Sequence, residues 1–393
     1  MRLFAVPVLM LSLTMFRPVA ARAQAPGAEP GARSDLGANA AMKYWEGFAL
    51  LPPLDQDQER LLEEWQKVPL DAAALKLIGR SELSRVYLYR GAKLAQCDWS
   101  LDYEDGIRLL LPHLPKSLTL ARLTALHARH EFEQGHWSAG WDDVTVILKL
   151  ARHVEMTPIM IGNLVGYRIE SIAIEAAAPW LPELKAALPA DAPAVLDALP
   201  AGATLEHMLL TEKQIGPLWM IRELKQAEQR QGGAWQALWN EVLQVPGDES
   251  ENPLRDPAQS AKTFKQAMQM LEDHIPLNVQ LIKIAALPWK QFDAQYPDFI
   301  ARTKTLNPLA SVFLPNLAKY VAAQRRCQAQ MALFKAALAV VQGGPDKLKG
   351  IEDPFGDGPF EYRHLDNGFE LKSKFVFKGH PVTLTAGQPV KRR

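Results

Sequence analysis

Cysteine is nearly absent: Cys97 and Cys327 are the two in 393 residues. Two cysteines cannot build a disulfide-rich scaffold, and without a Cys-x-x-Cys there is no zinc or dithiol redox motif. Neither sign of charge is in surplus, with 44 Lys+Arg against 44 Asp+Glu, so bulk charge offers no basis for nucleic-acid binding. Nucleophile and phosphate motifs are missing as well. There is no Gly-x-Ser-x-Gly, no Gly-x-x-x-x-Gly-Lys and no Gly-x-Gly-x-x-Gly opening a helix. That lowers the expectation of an enzyme, although dispersed residues can still assemble a site. What remains is an ordinary globular composition, 48% hydrophobic and 22% charged, which excludes a disordered chain.

Behind Arg2, the apolar run Leu3 to Phe16 leads to Ala21-Arg22-Ala23, the pattern of a secretory signal over 1–23. The run is shorter than the ~20 residues of a spanning helix, so cleavage is expected rather than retention as an anchor. No later run is long enough to span a bilayer, and no cysteine near the cleavage site offers a lipid anchor. Cleavage takes away Arg2, Arg17 and Arg22 and no acid, leaving a net charge of −3. Residues 24–38, rich in Pro, Gly and Ala, read as a flexible leader. These features place the protein outside the cytoplasm, in the periplasm or secreted. Oxidising surroundings allow Cys97 and Cys327 to pair, but each sits on its own apolar helical stripe. Two separate buried thiols are therefore expected, not a disulfide.

Helical periodicity runs from about Asn39 to Gln342. The expected fold is mainly α, built of packed antiparallel helix hairpins with a small C-terminal β-hairpin. Helix starts are marked by Asp55, Ser117, Ser138 and Thr157-Pro158. Pro179 to Gly202 carries five prolines and divides a helical domain at 39–200 from a second helical block at 201–345; Pro246 to Pro257 reads as a surface loop. The second block ends in a long helix whose residues Phe313, Leu317, Tyr320, Gln324, Cys327, Met331, Phe334, Leu338 and Val341 form a heptad seam interrupted by polar Gln324. Gly343-Gly344-Pro345 stops it. The period then changes to two. Within 359–377 a strand pair is expected to turn at Asp366 to Gly368. A loop of Asp366-Asn367 sets Arg363 opposite Glu370 and Glu361 opposite Lys372, two attractive pairs; the alternative loop, Asn367-Gly368, sets Arg363 opposite Lys372. This module covers 346–386, and a short basic tail fills 387–393.

Fragments spread over most of the chain carry a resemblance. They are Asn39-Ala40-Ala41 with Tyr44-Trp45 and Ala49-Leu50-Leu51-Pro52, then Cys97-Asp98-Trp99 followed by Gly106. Leu150-Ala151-Arg152-His153, Leu164-Val165-Gly166, and Asp353-Pro354-Phe355 followed by Phe360-x-Tyr362 complete the set. In this order they resemble an uncharacterised family of exported, mostly helical bacterial proteins. The resemblance implies architecture and export and nothing about chemistry. Leu123 to Val154 looks like a tetratricopeptide helix pair turning at Gly135-His136-Trp137, with Gly140 where that repeat has Ala. No second copy follows at a period of about 34 residues, so a true array is not expected. Pro345 to Phe375 is similar to the C-terminal part of type II secretion pseudopilins, but the N-terminus lacks the prepilin pattern and no assembly role is carried over.

Three constellations are candidates for chemistry. His127, His130 and Glu131 share a helical face and are zinc-ligand types. Their order is neither His-Glu-x-x-His nor His-x-x-Glu-His, a solvated face explains them equally, and no metal is expected. Asp98, Asp102, Glu104 and Asp105 surround Trp99 and Tyr103, and paired carboxylates near aromatics suit sugar chemistry. A helix N-terminus at Asp102 explains the same acids. Trp137 and Trp141, four apart, either offer a stacking surface to a ligand or partner or clamp two helices together. The leading expectation is an exported, non-catalytic binding or scaffold protein of the cell envelope, with another envelope protein as partner, no cofactor and no nucleic acid. The alternative is a hydrolase of envelope polysaccharide acting through Asp98, Asp102 and Asp105.

Overall fold

Residues 39–387, apart from 187, 190–191, 231–233, 244–259 and 315–316, are described by a computed structural model. The expected signal and leader, the whole loop at 246–257 and all of the basic tail but Gly387 lie outside the described residues. Among the described residues fifteen α-helices and three strands follow one another, and side-chain caps start several of the helices. Asn39 caps α1 (Ala40–Ala49), Asp55 caps α2 (Gln56–Glu63) in a capping box with Gln58, and Asp71 caps α3 (Ala72–Arg80). Next comes α4 (Glu82–Ala92). Three expected starts differ, and Ser138 is the second residue of the helix Trp137–Glu155, which opens at His136. Helix α5 spans His113–Glu133, so Ser117 lies buried inside it, after Pro112 at the cap and Pro115 in the first turn, where no proline N–H is needed. Helix α7 spans Met160–Ala177 and begins after an extended Ile159, so Thr157-Pro158 stands outside it.

Helices α5, α6 (Trp137–Glu155) and α7 pack mutually, each touching the other two. The α5–α6 turn uses Gly135 at φ +76°, and Gly140 lets α6 close on α5, since a Cβ there would enter the Phe132 ring. The proline-rich stretch carries the short helix α8 (Ala192–Asp197) and is packed, with Leu181, Leu184, Leu188 and Leu196 buried in the same core as α5–α7.

The second block holds α9 (Leu205–Lys213), which runs through a π turn containing Pro217 into α10 (Trp219–Arg230). It continues with α11 (Trp235–Leu243), α12 (Phe264–Ala285), α13 (Trp289–Leu306) and the short α14 (Ala310–Phe313). Helix α15 (Leu317–Gly343) follows. Phe313, placed in the seam by its spacing, belongs instead to α14. The rest of the seam is buried apart from Gln324, but so are Ala329, Leu333, Ala336, Ala337 and Val340. The helix is enclosed on several sides because it packs against α7, α8 and the sheet at once.

Leu317, Tyr320 and Val321 at its start belong to a core with α9, α12, α13 and α14, whereas Ala329 to Val341 join the core of α5–α7. A third cluster gathers Trp219, Trp235, Trp239 and Leu271. Among the described residues no helix is long and apolar enough to cross a membrane.

The C-terminal sheet has three strands, β1 (Glu361–Leu365), β2 (Gly368–Phe377) and β3 (His380–Ala386), in the order β1-β2-β3. The β1–β2 loop is Asp366-Asn367 with Arg363 opposite Glu370 and Glu361 opposite Lys372, and both pairs close as ion pairs, at 2.9 and 2.8 Å. Strand β3 is an addition to the expected hairpin. Its alternation over Val382, Leu384 and Ala386 is brief and begins at a proline, a poor strand signal. Asp353 is buried under the sheet, where its carboxylate accepts from Ser373 Oγ and the N–H groups of Phe355 and Lys374.

Leu338 is fully buried in α15. Leu338→Asp places a carboxylate without a partner in the main core, and urea unfolding is expected to show a loss of at least about 3 kcal/mol. An unchanged midpoint would mean the stripe is not core.

Candidate functional site

The last turn of α6 carries Arg152, His153 and Glu155, and their positions around the helix send them to different neighbours. Arg152 and Glu155, three apart, face Asn163, Tyr167 and Glu170 on α7, which keep the i, i+4, i+7 spacing of one helical face. Gln324, Cys327, Gln328 and Met331 of α15 close the third side with the same periodicity. Together with Gly202 and Ala203 these residues enclose a cavity of about 180 Å³.

Both carboxyls are deeply buried, with Glu155 2% and Glu170 1% exposed. Room for Glu155 is made by two glycines: a Cβ on Gly166 would collide with its Cγ, and a Cβ on Gly202 would lie 2.8 Å from its Cβ. The backbone of this turn is fixed independently. Asn163 Nδ2 donates to the carbonyls of Glu155 and Thr157, both at 3.1 Å, and Ala203 N–H donates to Glu155 O at 2.8 Å. That bonding, rather than a Thr157 cap, sets where α7 begins.

One guanidinium serves both acids. Arg152 Nη1 donates to Glu155 Oε2 at 3.0 Å. Its Nη2 stands 2.7 Å from Glu170 Oε1, a charge contact without hydrogen-bond alignment. Cys327 Sγ donates to Glu170 Oε2 at 2.6 Å. Three polar atoms stay without hydrogen-bond partners: Glu155 Oε1, Glu170 Oε1 and Arg152 Nε.

Burial, then repulsion from Glu170, pushes Glu155 far above the usual carboxylate range. Burial also raises Glu170, while Arg152 and the Cys327 thiol pull it back. The net direction is upward for both acids, and further for Glu155, with Arg152 opposing it in each. Burial works against the Arg152 charge, but Glu170 and Glu155 hold its pKa above the ordinary value. Burial and the two acids raise the Cys327 thiol well above its ordinary pKa, so it is a neutral donor here and not a nucleophile.

His153 points to the opposite side. Its Nδ1 lies 2.6 Å from Tyr44 Oη, and its backbone carbonyl accepts from Trp99 Nε1 at 3.0 Å. Trp99 stacks on His113, whose Nε2 stands 3.3 Å from Thr157 Oγ1, and on Phe48. Residues from five of the fragments quoted above thus meet around one helix end: Asn39, Tyr44, Trp99, Arg152, His153 and Gly166.

Other expected site residues lie elsewhere. Asp98, Asp102, Glu104 and Asp105 are exposed. Asp98 bonds Ser100 N–H, Asp102 caps the short turn at Glu104, and Glu104 pairs with Arg222. Both nitrogens of His127 meet carboxylates, Asp143 at 2.5 Å and Glu131 at 3.4 Å, and it is His136, not His130, that completes the chain at Glu131. Among the described residues no group of three or more His, Cys, Asp and Glu side chains is arranged to hold a metal ion. Trp141 is buried against Phe334 and Trp137 half-buried against Phe132 and Trp180, so the pair clamps helices together. Cys97 and Cys327 are buried free thiols.

No family model, curated protein or solved structure matches the chain, and the reading of function rests on this geometry.

His113, His153 and His274 are buried and held neutral, each lowered to about 4 by burial. Between the ordinary value of 6.5 and about 4 the unfolded chain binds protons that the folded one refuses, so stability present above pH 6.5 is lost as pH falls through this window. Glu155, raised in the fold, opposes this trend. Neither His274 nitrogen has a hydrogen-bond partner, so His274→Leu removes one acid-sensitive group without breaking a bond. Chemical unfolding at pH 7 and pH 4 should show the variant losing about 3 kcal/mol less than the parent over that interval. Equal losses would place the His274 proton elsewhere.

Proposed function

We propose that this is an exported, non-catalytic binding protein of the cell envelope, and that the cavity between α6, α7 and α15 is its ligand seat. The observation that carries the reading is a cavity of about 180 Å³ lined by two buried acids and one guanidinium. The acids and the guanidinium give this space charged and hydrogen-bonding walls, which suit a polar occupant. The volume, roughly six waters' worth, suits a molecule of a few heavy atoms. Its mouth is rimmed by Gly202, half-exposed Gln324 and exposed Gln328.

Catalysis is less well supported. The acids at 98–105 stand in solvent as turn caps and helix-end partners, without the desolvated pair a glycoside hydrolase needs. The buried pair has no activated nucleophile beside it and no room for a polymer. Export is supported by the amino-terminal pattern over 1–23.

Thermal unfolding in the presence of small cationic, neutral and anionic solutes tests the reading. A ligand at ten times its dissociation constant stabilises by about 1.4 kcal/mol, so at least one class should raise the melting temperature. Gln328→Trp, at the exposed mouth, should fold as the parent does and abolish that rise. No stabilisation by any class, or an equal rise in Gln328→Trp, would overturn the assignment of the seat.

A further inference from the structure

Away from the seat, α15 meets the sheet around a second cavity, and the charges on its walls are of one sign. Helix α15 contains no acidic residue. Neighbouring elements supply counter-charges for two of its cations: Asp293 pairs with Arg325 and Asp197 with Lys335. Arg326 has no carboxylate partner among the described residues. With Gln330, four residues on, it lies on a face that turns away from Gln324 and Gln328. That face fronts a cavity of about 360 Å³ between α15 and the β2–β3 turn, closed on the other side by Lys378, His380 and Thr383. No acidic side chain among the described residues lines this space.

Two cations are held there against their mutual repulsion. The Arg326 guanidinium stands 5.1 Å and the Lys378 ammonium 5.6 Å from the centre of the same Phe377 ring. A two-residue turn places Lys378. Phe377 pairs with His380, and Lys378 and Gly379 both have positive φ, +50° and +82°. This is the turn type whose first position favours Asn, Asp or Gly. A lysine there accepts backbone strain and brings its charge into the cavity that Arg326 already lines. Gln330 is oriented by Ser171, whose hydroxyl donates to its Oε1 at 3.1 Å, so the amide NH2 is its free end. A guanidinium, an ammonium, an amide NH2, a hydroxyl and an imidazole can all donate here, from three elements of the fold.

We infer that this cavity binds the phosphate group of a small phosphate monoester. Charge sets the sign, since two cations without an acid require an anion, and the phosphate of a monoester carries about two negative charges near neutral pH. The placement of the donors sets the shape. Those on α15, in the turn and on β3 come from different sides and suit a tetrahedral oxyanion, whereas a planar carboxylate is served by one guanidinium fork. The volume exceeds that of a bare phosphate and leaves room for a short alcohol portion beside Phe377.

Titration calorimetry of the full chain in HEPES, with glycerol 3-phosphate, glycerol and glycerate, tests the inference. Only the first should bind, and more weakly as NaCl is raised. Arg326→Gln should bind it about tenfold more weakly. Asparagine suits the turn better than lysine, so Lys378→Asn should melt no lower than the parent and yet bind about fivefold more weakly. Gln328→Trp should bind as the parent does, and a response kept there but lost in Arg326→Gln belongs to this site and not to the seat. Flotation with vesicles of phosphatidic acid, set against phosphatidylcholine, identifies the source of the ester. Co-flotation with phosphatidic acid alone, lost in Arg326→Gln, places the ester on a lipid; binding of glycerol 3-phosphate without co-flotation places it in solution. Binding of neither form, glycerate bound as well as the phosphate, undiminished binding by Arg326→Gln or Lys378→Asn, or binding lost in Gln328→Trp would overturn the inference.

Discussion

Taking a carboxylate out of water requires an answering charge, a proton or a set of donors, and the contact between α6 and α7 is organised around that requirement. Glu155 and Glu170 are buried where the two helices approach, and Arg152 is their shared counter-charge. Removing one member of such a cluster generally costs 3–5 kcal/mol because the remainder is stranded. The packing follows from it. Gly166 brings α7 close to Glu155, Gly202 brings in the following segment, and Asn163 fixes the turn between the helices. The Cys327 thiol adds the donor from α15.

The other side of the same helix end is held by an aromatic layer. Trp99 lies against Tyr44, Phe48 and His113, and its indole N–H secures the His153 carbonyl. Asn39 exchanges hydrogen bonds with the Asp98 backbone, joining the start of α1 to this segment. The turn bearing Arg152 and Glu155 is thus clamped from behind before anything meets it in front. A site supported in this way is preorganised, and little ordering entropy remains to be lost on binding.

How much of this was legible in the sequence depended on the range of the interaction. Local chemistry read well: Asp55 as a cap, Gly135 as a helix end, and the pairing of Arg363 with Glu370 across a two-residue loop. Ser117 and Thr157 misled because a hydroxyl before an apolar run signals a cap only when the backbone leaves the helix there, and the surrounding structure decides that. Strand β3 was missed because its partner, not its own short alternation, defines it. The candidate site was visible only in fragments. Arg152-His153 and Gly166 stood out within the resemblance, and Gln324 broke an otherwise apolar seam, yet Glu155 and Glu170 drew no notice. Fifteen residues apart on separate helices, they become a pair only when α6 packs on α7. The acids at 98–105 were conspicuous because they cluster in sequence, which is a poor guide to clustering in space.

Helix α15 gives the fold a mechanical property of its own. Its 27 residues make a rod about 40 Å long. One end is embedded in the core of α9, α12, α13 and α14, and the other in the core of α5–α7 and the sheet. The polar stretch at Gln324 to Gln328 lies between the two apolar ends, and the cavity opens there. Domains joined by a flexible strand can swing freely, but two cores built on one unbroken helix can change their mutual angle only by bending it. The cavity thus sits at the elbow of a stiff beam, where a small change in side-chain spacing is magnified along both arms.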